Sequence, residues 1–135
     1  MNTDLINRYI DCCIGSNGSH YDMSLVIYHI LKDKYRYLGD NLWQYKNIND
    51  EWINDIKNNL HIINDIKSIV INYFLSRSTY WLEESKTNDD ISLSNDNQIK
   101  SVRILQYSSK LKDEKFIKEI MKEIKQFFYY NIEKK

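Results

Sequence analysis

The feature that most constrains this chain is an apolar repeat lasting about seven helical turns. Ile56, Leu60, Ile63, Ile66, Val70, Tyr73, Phe74 and Trp81 recur at helical intervals. Residues three and four apart are neighbours on an α-helix, so this spacing gathers them on one stripe. Ile62, Ile69 and Ile71 widen the stripe, and a helix apolar over so broad an arc is usually covered by two neighbours. Residues 53–84 therefore read as the central helix of a bundle. With 135 residues, one domain with a core of ordinary size can form around it.

Just upstream, residues 35–52 read YRYLGDNLWQYKNINDEW. Tyr35 and Tyr37 flank Arg36, and Trp43 and Tyr45 flank Gln44, which is the two-residue period of a half-buried strand. Gly39, Asp40 and Asn41 between the two runs suit a turn with positive φ. A β-hairpin is expected over 35–52, closed by a third short strand or turn from Glu51 to Ile53. Large rings at strand spacing usually fill a core, so Trp43, Tyr45 and Trp52, with Phe127 from the apolar side of the last helix, form the expected aromatic core. Aromatics on a sheet can also stack unpaired bases, a use that stays open at Tyr37 and Tyr45.

The rest reads as helix, making the fold class mainly α with a small antiparallel β-hairpin. A short helix capped by Thr3 or Asp4 runs to Cys13, and a glycine–serine turn follows at residues 15–19. Residues 1–19 are expected to be an N-terminal extension of a single domain over 20–135. Asp22 caps a second helix carrying Met23, Val26, Ile27, Ile30 and Leu31, with His29 on its surface. Residues 86–97, KTNDDISLSNDN, are polar and turn-rich and read as a flexible loop. A helix from 98 to 109 turns Ile99, Val102 and Leu105 inward. Asp113 then caps a last helix whose apolar side runs from Phe116 to Phe128. The chain has no proline and no alanine, and Ile, Asn, Lys and Tyr are abundant, as in AT-rich coding sequences. Periodicity is therefore a better guide here than residue propensity.

Lysine and arginine together number 19, as do aspartate and glutamate. The balance is uneven along the chain: residues 1–99 carry nine basic and fourteen acidic side chains, residues 100–135 ten and five. Lys112, Lys115, Lys118, Lys122 and Lys125 fall on one side of the last helix, over an arc of about 140° at 100° per residue. Glu119 and Glu123 lie close enough to pair with Lys115 and Lys122 and dilute that field. Two readings stand: a solvated helix back, or a contact for nucleic-acid phosphates whose affinity falls with salt.

No catalytic constellation is evident, and no cofactor or metal site is expected. The adjacent Cys12 and Cys13 point about 100° apart on a helix and are poorly placed to bridge each other. They read as buried or half-buried free thiols of a reducing, cytoplasmic compartment. His20, His29 and His61 lack ligand spacing, and Asp89-Asp90 reads as solvated charge. The Gly15–Gly18 turn lacks the Lys-Ser/Thr pair and the preceding strand of a phosphate loop. No apolar run reaches the roughly 20 residues that span a bilayer, so no membrane partner is expected.

Taken together, DMSLVIYHILKDKYRYLGDNLWQYKNINDEW, a long helix, a polar gap and KSVRILQYSSKLKDEKFIKEIMKEIKQFFYY form an ordered pattern over residues 20–131. The pattern resembles the helical region upstream of the superfamily-3 helicase core in primase–helicases of poxviruses, giant DNA viruses and phages. Its marks are a Tyr/Phe-rich strand, a strand with Trp43 and Tyr45, a second Trp at Trp52, and a basic helix ending in Phe127 to Tyr130. The resemblance implies a non-catalytic connector between primase and helicase, engaged in ring assembly and in handling DNA. Its implied partners are superfamily-3 helicase or primase domains, single-stranded DNA and other copies of the chain. Neither the helicase phosphate loop nor the acidic primase motif is present, so the chain is expected to be an excised fragment or a stand-alone relative without ATPase or primase activity. A rival reading is a protein-interaction or regulatory module that does not bind nucleic acid.

Overall fold

The structure is a computed structural model that describes residues 2–129. It is mainly helical with one small antiparallel sheet. In chain order the elements are α1 (Thr3–Gly15), α2 (His20–Leu31), β1 (Tyr35–Tyr37), β2 (Trp43–Lys46), β3 (Trp52–Asn54) and α3 (Leu60–Asp65). A π-helical turn (Ile66–Val70), α4 (Ile71–Thr87), α5 (Ile91–Lys110) and α6 (Glu114–Phe128) complete the fold.

Helix ends follow side-chain chemistry. Asn2 accepts the Leu5 amide at the start of α1, Ser19 accepts that of Asp22, and Asp90 those of Ser92 and Leu93. Asp113 accepts the Lys115 amide, as the sequence suggests. Each cap satisfies an amide that the first helical turn leaves without a partner. The first two helices are thus capped earlier than expected, by Asn2 and Ser19 rather than by Thr3 or Asp4 and by Asp22. Reversals fall on residues that tolerate positive φ, among them Asn17 and Gly18, Gly39 to Asn41, Asp50, and Asn58 with Asn59.

The sheet is a meander in the order β1-β2-β3. Tyr37 faces Trp43 and Tyr35 faces Tyr45 across the first pair; Tyr45 faces Ile53 and Lys46 faces Trp52 across the second. Paired residues share a face, so one side carries Tyr35, Tyr37, Trp43, Tyr45 and Ile53. The other side carries Arg36, Gln44, Lys46, Trp52 and Asn54. Only the first side meets the helices. Trp43 is fully buried there, 5.1 Å from the Tyr37 ring and 5.3 Å from Phe128.

The expected aromatic core is corrected accordingly. Trp43 belongs to it, but Trp52 is half-buried on the outer face because it pairs with Lys46. Tyr45, half-buried against His61, and Phe127, half-buried against Tyr21 and Tyr28, pack on the edge of that core, while Phe128 takes the interior place.

The long apolar repeat begins later than its sequence pattern. Ile56 is exposed ahead of the helix, and the buried stripe runs through Ile62, Ile66, Val70, Phe74 and Ser78. Those residues recur every fourth position, and in a regular α-helix such a row drifts by about 40° per step. The wider π-helical turn at Ile66–Val70 takes up part of that drift and keeps the stripe on the core.

Residues 1–19 are not an extension within the described part. Ile6, Ile10 and Cys13 of α1 are in the main core, and α1 packs on α2, α4 and α5. The loop expected over residues 86–97 is also corrected. Only Asn88 to Asp90 connects two antiparallel helices, because the Asp90 cap starts α5 at Ile91. Within α5 the inward residues are Asn97, Ser101, Ile104, Tyr107 and Ser108, while Ile99, Val102 and Leu105 face solvent. Small side chains bring the two backbones close: the Ser78 hydroxyl bonds with the hydroxyl (2.8 Å) and carbonyl (3.0 Å) of Ser101, and the Ser94 hydroxyl donates to the Ser85 carbonyl. Helix α6 lies on the other side of the bundle, against α2 and β1.

Candidate nucleic-acid interface

Two surfaces could meet a polyanion, and the fold builds them differently. On α6, burial of Ile117, Ile120, Met121, Ile124 and Phe128 turns the opposite arc to solvent. Lys112, Lys115, Lys118 and Lys122 are exposed, and none forms an ion pair among the described residues. The expected pairings of Glu119 and Glu123 do not form. Glu119 meets His20 at 3.2 Å, and Glu123 accepts from Gln126 at 2.6 Å. Lys125 leaves the stripe: its ammonium donates to Asn41 Oδ1 (2.8 Å) and sits 5.4 Å from the Tyr37 ring centre. It fastens α6 to the β1–β2 turn, and Lys112 lies on the turn ahead of the Asp113 cap, so the helical stripe is reduced to Lys115, Lys118 and Lys122.

The second surface is the outer face of the sheet. The Arg36 guanidinium lies 4.2 Å from the Trp52 ring centre and the Lys46 ammonium 5.3 Å from it. Arg36 Nε donates to Gln44 Oε1 (2.7 Å), whose amide nitrogen donates to Asn54 (2.8 Å). Cross-strand register dictates this cluster, because Arg36, Gln44 and Asn54 are opposed in turn across the three strands. The result is a half-buried indole with two cations over its ring, on the same sheet face as two amides. A guanidinium plane and an indole can stack bases, and the cations can meet phosphates. Sequence reasoning passed over Arg36 and Lys46 because it placed Trp52 in the core. Alternation alone puts Arg36, Gln44 and Lys46 on the face opposite Tyr35, Trp43 and Tyr45, but only the β2–β3 register adds Trp52 to it.

Beneath the sheet lies a polar network. The buried Tyr35 hydroxyl donates to Asp65 Oδ2, which also accepts from Lys34 Nζ at 2.7 Å. His61 Nδ1 is 2.5 Å from the same hydroxyl, and the His61 ring stacks on Tyr45 with centres 3.7 Å apart. The same hydroxyl lies 3.1 Å from the His61 carbonyl oxygen, so His61 and Asp65 hold the phenol together. Burial first, and then Asp65, pushes the Tyr35 phenol well above its ordinary range. A phenol so held stays neutral, and the network ties β1 to α3. A cavity of about 400 Å³ lined by Tyr45, Ile53, Leu60 and His61 adjoins it.

A second node joins α1 to α4. Arg77 donates to both Asp11 oxygens (3.0 and 2.6 Å), and the Trp81 indole N–H donates to Asp11 as well (3.0 Å). The Asp11 bond holds the Arg77 guanidinium above its ordinary range. Of the remaining candidates, Cys12 is exposed, contrary to expectation, while burial pushes the Cys13 thiol up to about 12. His29 is half-buried and stacked on Tyr9 at 4.3 Å. Among the described residues, no group of three or more His, Cys, Asp or Glu could hold a metal ion, and no helix is long and apolar enough to cross a membrane.

No protein-family model matches this chain, and no curated protein matches it in sequence.

Proposed function

We propose that this chain is a non-catalytic DNA-replication accessory module that contacts single-stranded DNA and positions helicase or primase domains. One observation carries the DNA-contact part: Trp52 is held on the outer sheet face with Arg36 and Lys46 over its ring. Arg36 and Lys46 cover part of the indole, and its remaining accessible surface, together with the guanidinium plane, suits stacking on an unpaired base. The free Lys115, Lys118 and Lys122 of α6, with Lys112 on the turn before it, supply a second positive surface on a helix that packs against β1. The replication context rests on the aromatic pattern of residues 35–52 and the basic last helix.

Fluorescence anisotropy with a labelled single-stranded oligonucleotide tests the reading. Affinity is expected to fall as salt rises, since phosphate contacts release counterions. The double variant Arg36→Glu/Lys46→Glu is expected to weaken binding by at least on the order of tenfold, and Lys118→Glu/Lys122→Glu by a smaller factor. Absence of binding at low salt, or indifference to both variants, would overturn it.

A further inference from the structure

Helices α1 and α4 meet at the Asp11–Arg77 ion pair, and beside it they leave a groove of about 350 Å³. Half-buried Asn7, Ile69, Tyr73 and Arg77 line it, and Asn72, Ser76 and Tyr80 stand exposed at its edge. Its volume is at the lower end of small-molecule sites, which run from roughly 300 to 1,000 Å³. Ile69 belongs to the π-helical turn, a form that is rare in proteins and often found at functional sites.

Three neutral polar groups along this groove are left unused by the fold. The Asn7 and Asn72 carboxamides and the Ser76 hydroxyl bond to nothing among the described residues. The other five serine and threonine hydroxyls between Ile66 and Thr87 each donate to a backbone carbonyl, so Ser76 is the exception in this stretch. Among the described residues, Arg77 is the one charged side chain of the lining, and its charge is already matched. It donates to both Asp11 oxygens, and its guanidinium lies 4.3 Å from the Tyr80 ring centre. Because that carboxylate occupies the donor fork, a phosphate gains little there.

We propose that this groove binds a neutral planar heterocycle, the base of a nucleoside. The Tyr80 ring and the Arg77 guanidinium plane offer it flat surfaces to stack on. Asn7 and Asn72 each present a donor and an acceptor side by side, the complement of the N6–N7 edge of adenine. Ser76 adds a hydroxyl that donates or accepts as the ring requires. A hydrocarbon ring leaves these groups without partners, which costs affinity, and an anion meets a cation that Asp11 has already neutralised. None of the lining residues belongs to the sheet, so the site is separate from the outer face that carries Trp52.

Titration of the nitrogen-15-labelled whole chain with adenosine, followed through the side-chain amide signals, tests this. The Asn7 and Asn72 signals are expected to move with a dissociation constant on the order of 0.1–1 mM. Tyr80→Ala is expected to weaken binding by about fivefold or more and Asn72→Leu by about two- to tenfold, each variant checked for an unchanged far-UV spectrum. Trp52→Ala is expected to respond like the parent, so the site stands or falls apart from DNA binding by the sheet. An unpaired base of DNA carries the same ring, and a short oligodeoxyadenylate separates the two sources. Movement of the same amides shows that a strand delivers the base, and their stillness shows that only a free nucleoside enters; either result agrees with the site. Asn7 and Asn72 signals that stay still with about 5 mM adenosine overturn the proposal, as does a response indifferent to both groove variants. So does adenosine monophosphate binding about tenfold tighter than adenosine, which would mean an anion site, or benzyl alcohol binding as tightly as adenosine, which would mean that the amides take no part.

Discussion

Trp43 and Trp52 stand on opposite faces of the same three-stranded sheet: one is fully buried against Tyr37 and Phe128, the other lies under Arg36 and Lys46. Replacing each by alanine is expected to have different consequences. Trp43→Ala opens a cavity in the core and is expected to cost about 3–5 kcal/mol in denaturant unfolding. Trp52→Ala loses mainly its cation contacts, about 0.5–1 kcal/mol, but is expected to lose most affinity for single-stranded DNA in the same anisotropy assay.

Gly18 and Gly15 flank one turn and are expected to respond in opposite ways to alanine. Gly18 has φ near +70°, and an added Cβ would stand 2.6 Å from the Tyr107 ring. Both strain and overlap oppose the substitution, so Gly18→Ala is expected to lower stability by about 1–3 kcal/mol. Gly15 ends α1 with nothing within 4 Å of its added Cβ. Gly15→Ala is expected to be neutral or to raise the melting temperature slightly.

The His29 imidazole is held below its ordinary range, first by burial and then by Lys32, and its Nδ1 is shut off from solvent without a partner among the described residues. The folded protein therefore resists a proton that the unfolded chain accepts near pH 6.5. The resulting stability is present above about that pH and is lost as pH falls through and below it. Unfolding midpoints measured from pH 8 to 5 are expected to decline for the parent. The decline should be shallower for His29→Phe, which keeps a ring against Tyr9.

The neighbouring thiols are expected to differ in reactivity. Cys12 is exposed, whereas Cys13 is buried and its thiol is pushed up to about 12. Only thiolates attack disulfide reagents, so at pH 8 the native chain is expected to release one equivalent from Ellman's reagent promptly and two in denaturant. A raised pKa also means that the Cys13 contribution to stability is complete below about pH 9 and is lost between 9 and about 12. Rapid titration of two native thiols would contradict the placement of Cys13.

Legibility in the sequence followed the range of the forces involved. Alternation in YRY and WQY, and the Gly39–Asn41 turn between them, identified β1 and β2 because strand period and positive φ are local properties. The Asp113 cap was legible for the same reason. The α6 lysines were found from helical period alone, but the retreat of Lys125 was not, because its partner Asn41 lies 84 residues away. The outer sheet cluster escaped notice because the register between β2 and β3, which turns Trp52 outward, depends on the turn between them and on which face the helices cover.

What the sequence by itself determined is that this chain is helical around a small aromatic sheet, with turns at its Asn, Asp and Gly clusters and a basic last helix. Only the tertiary structure decided which face of each element is inside. In α5 the stripe of Ile99, Val102 and Leu105 and the stripe of Ser101, Ile104 and Ser108 share one period, and transfer from water favours burying the former. Close approach to α4 selects the latter, because serines let two backbones meet and bond where larger side chains would hold them apart. That choice depends on a partner helix that no local window contains, and it is the reason an apolar surface remains on the outside.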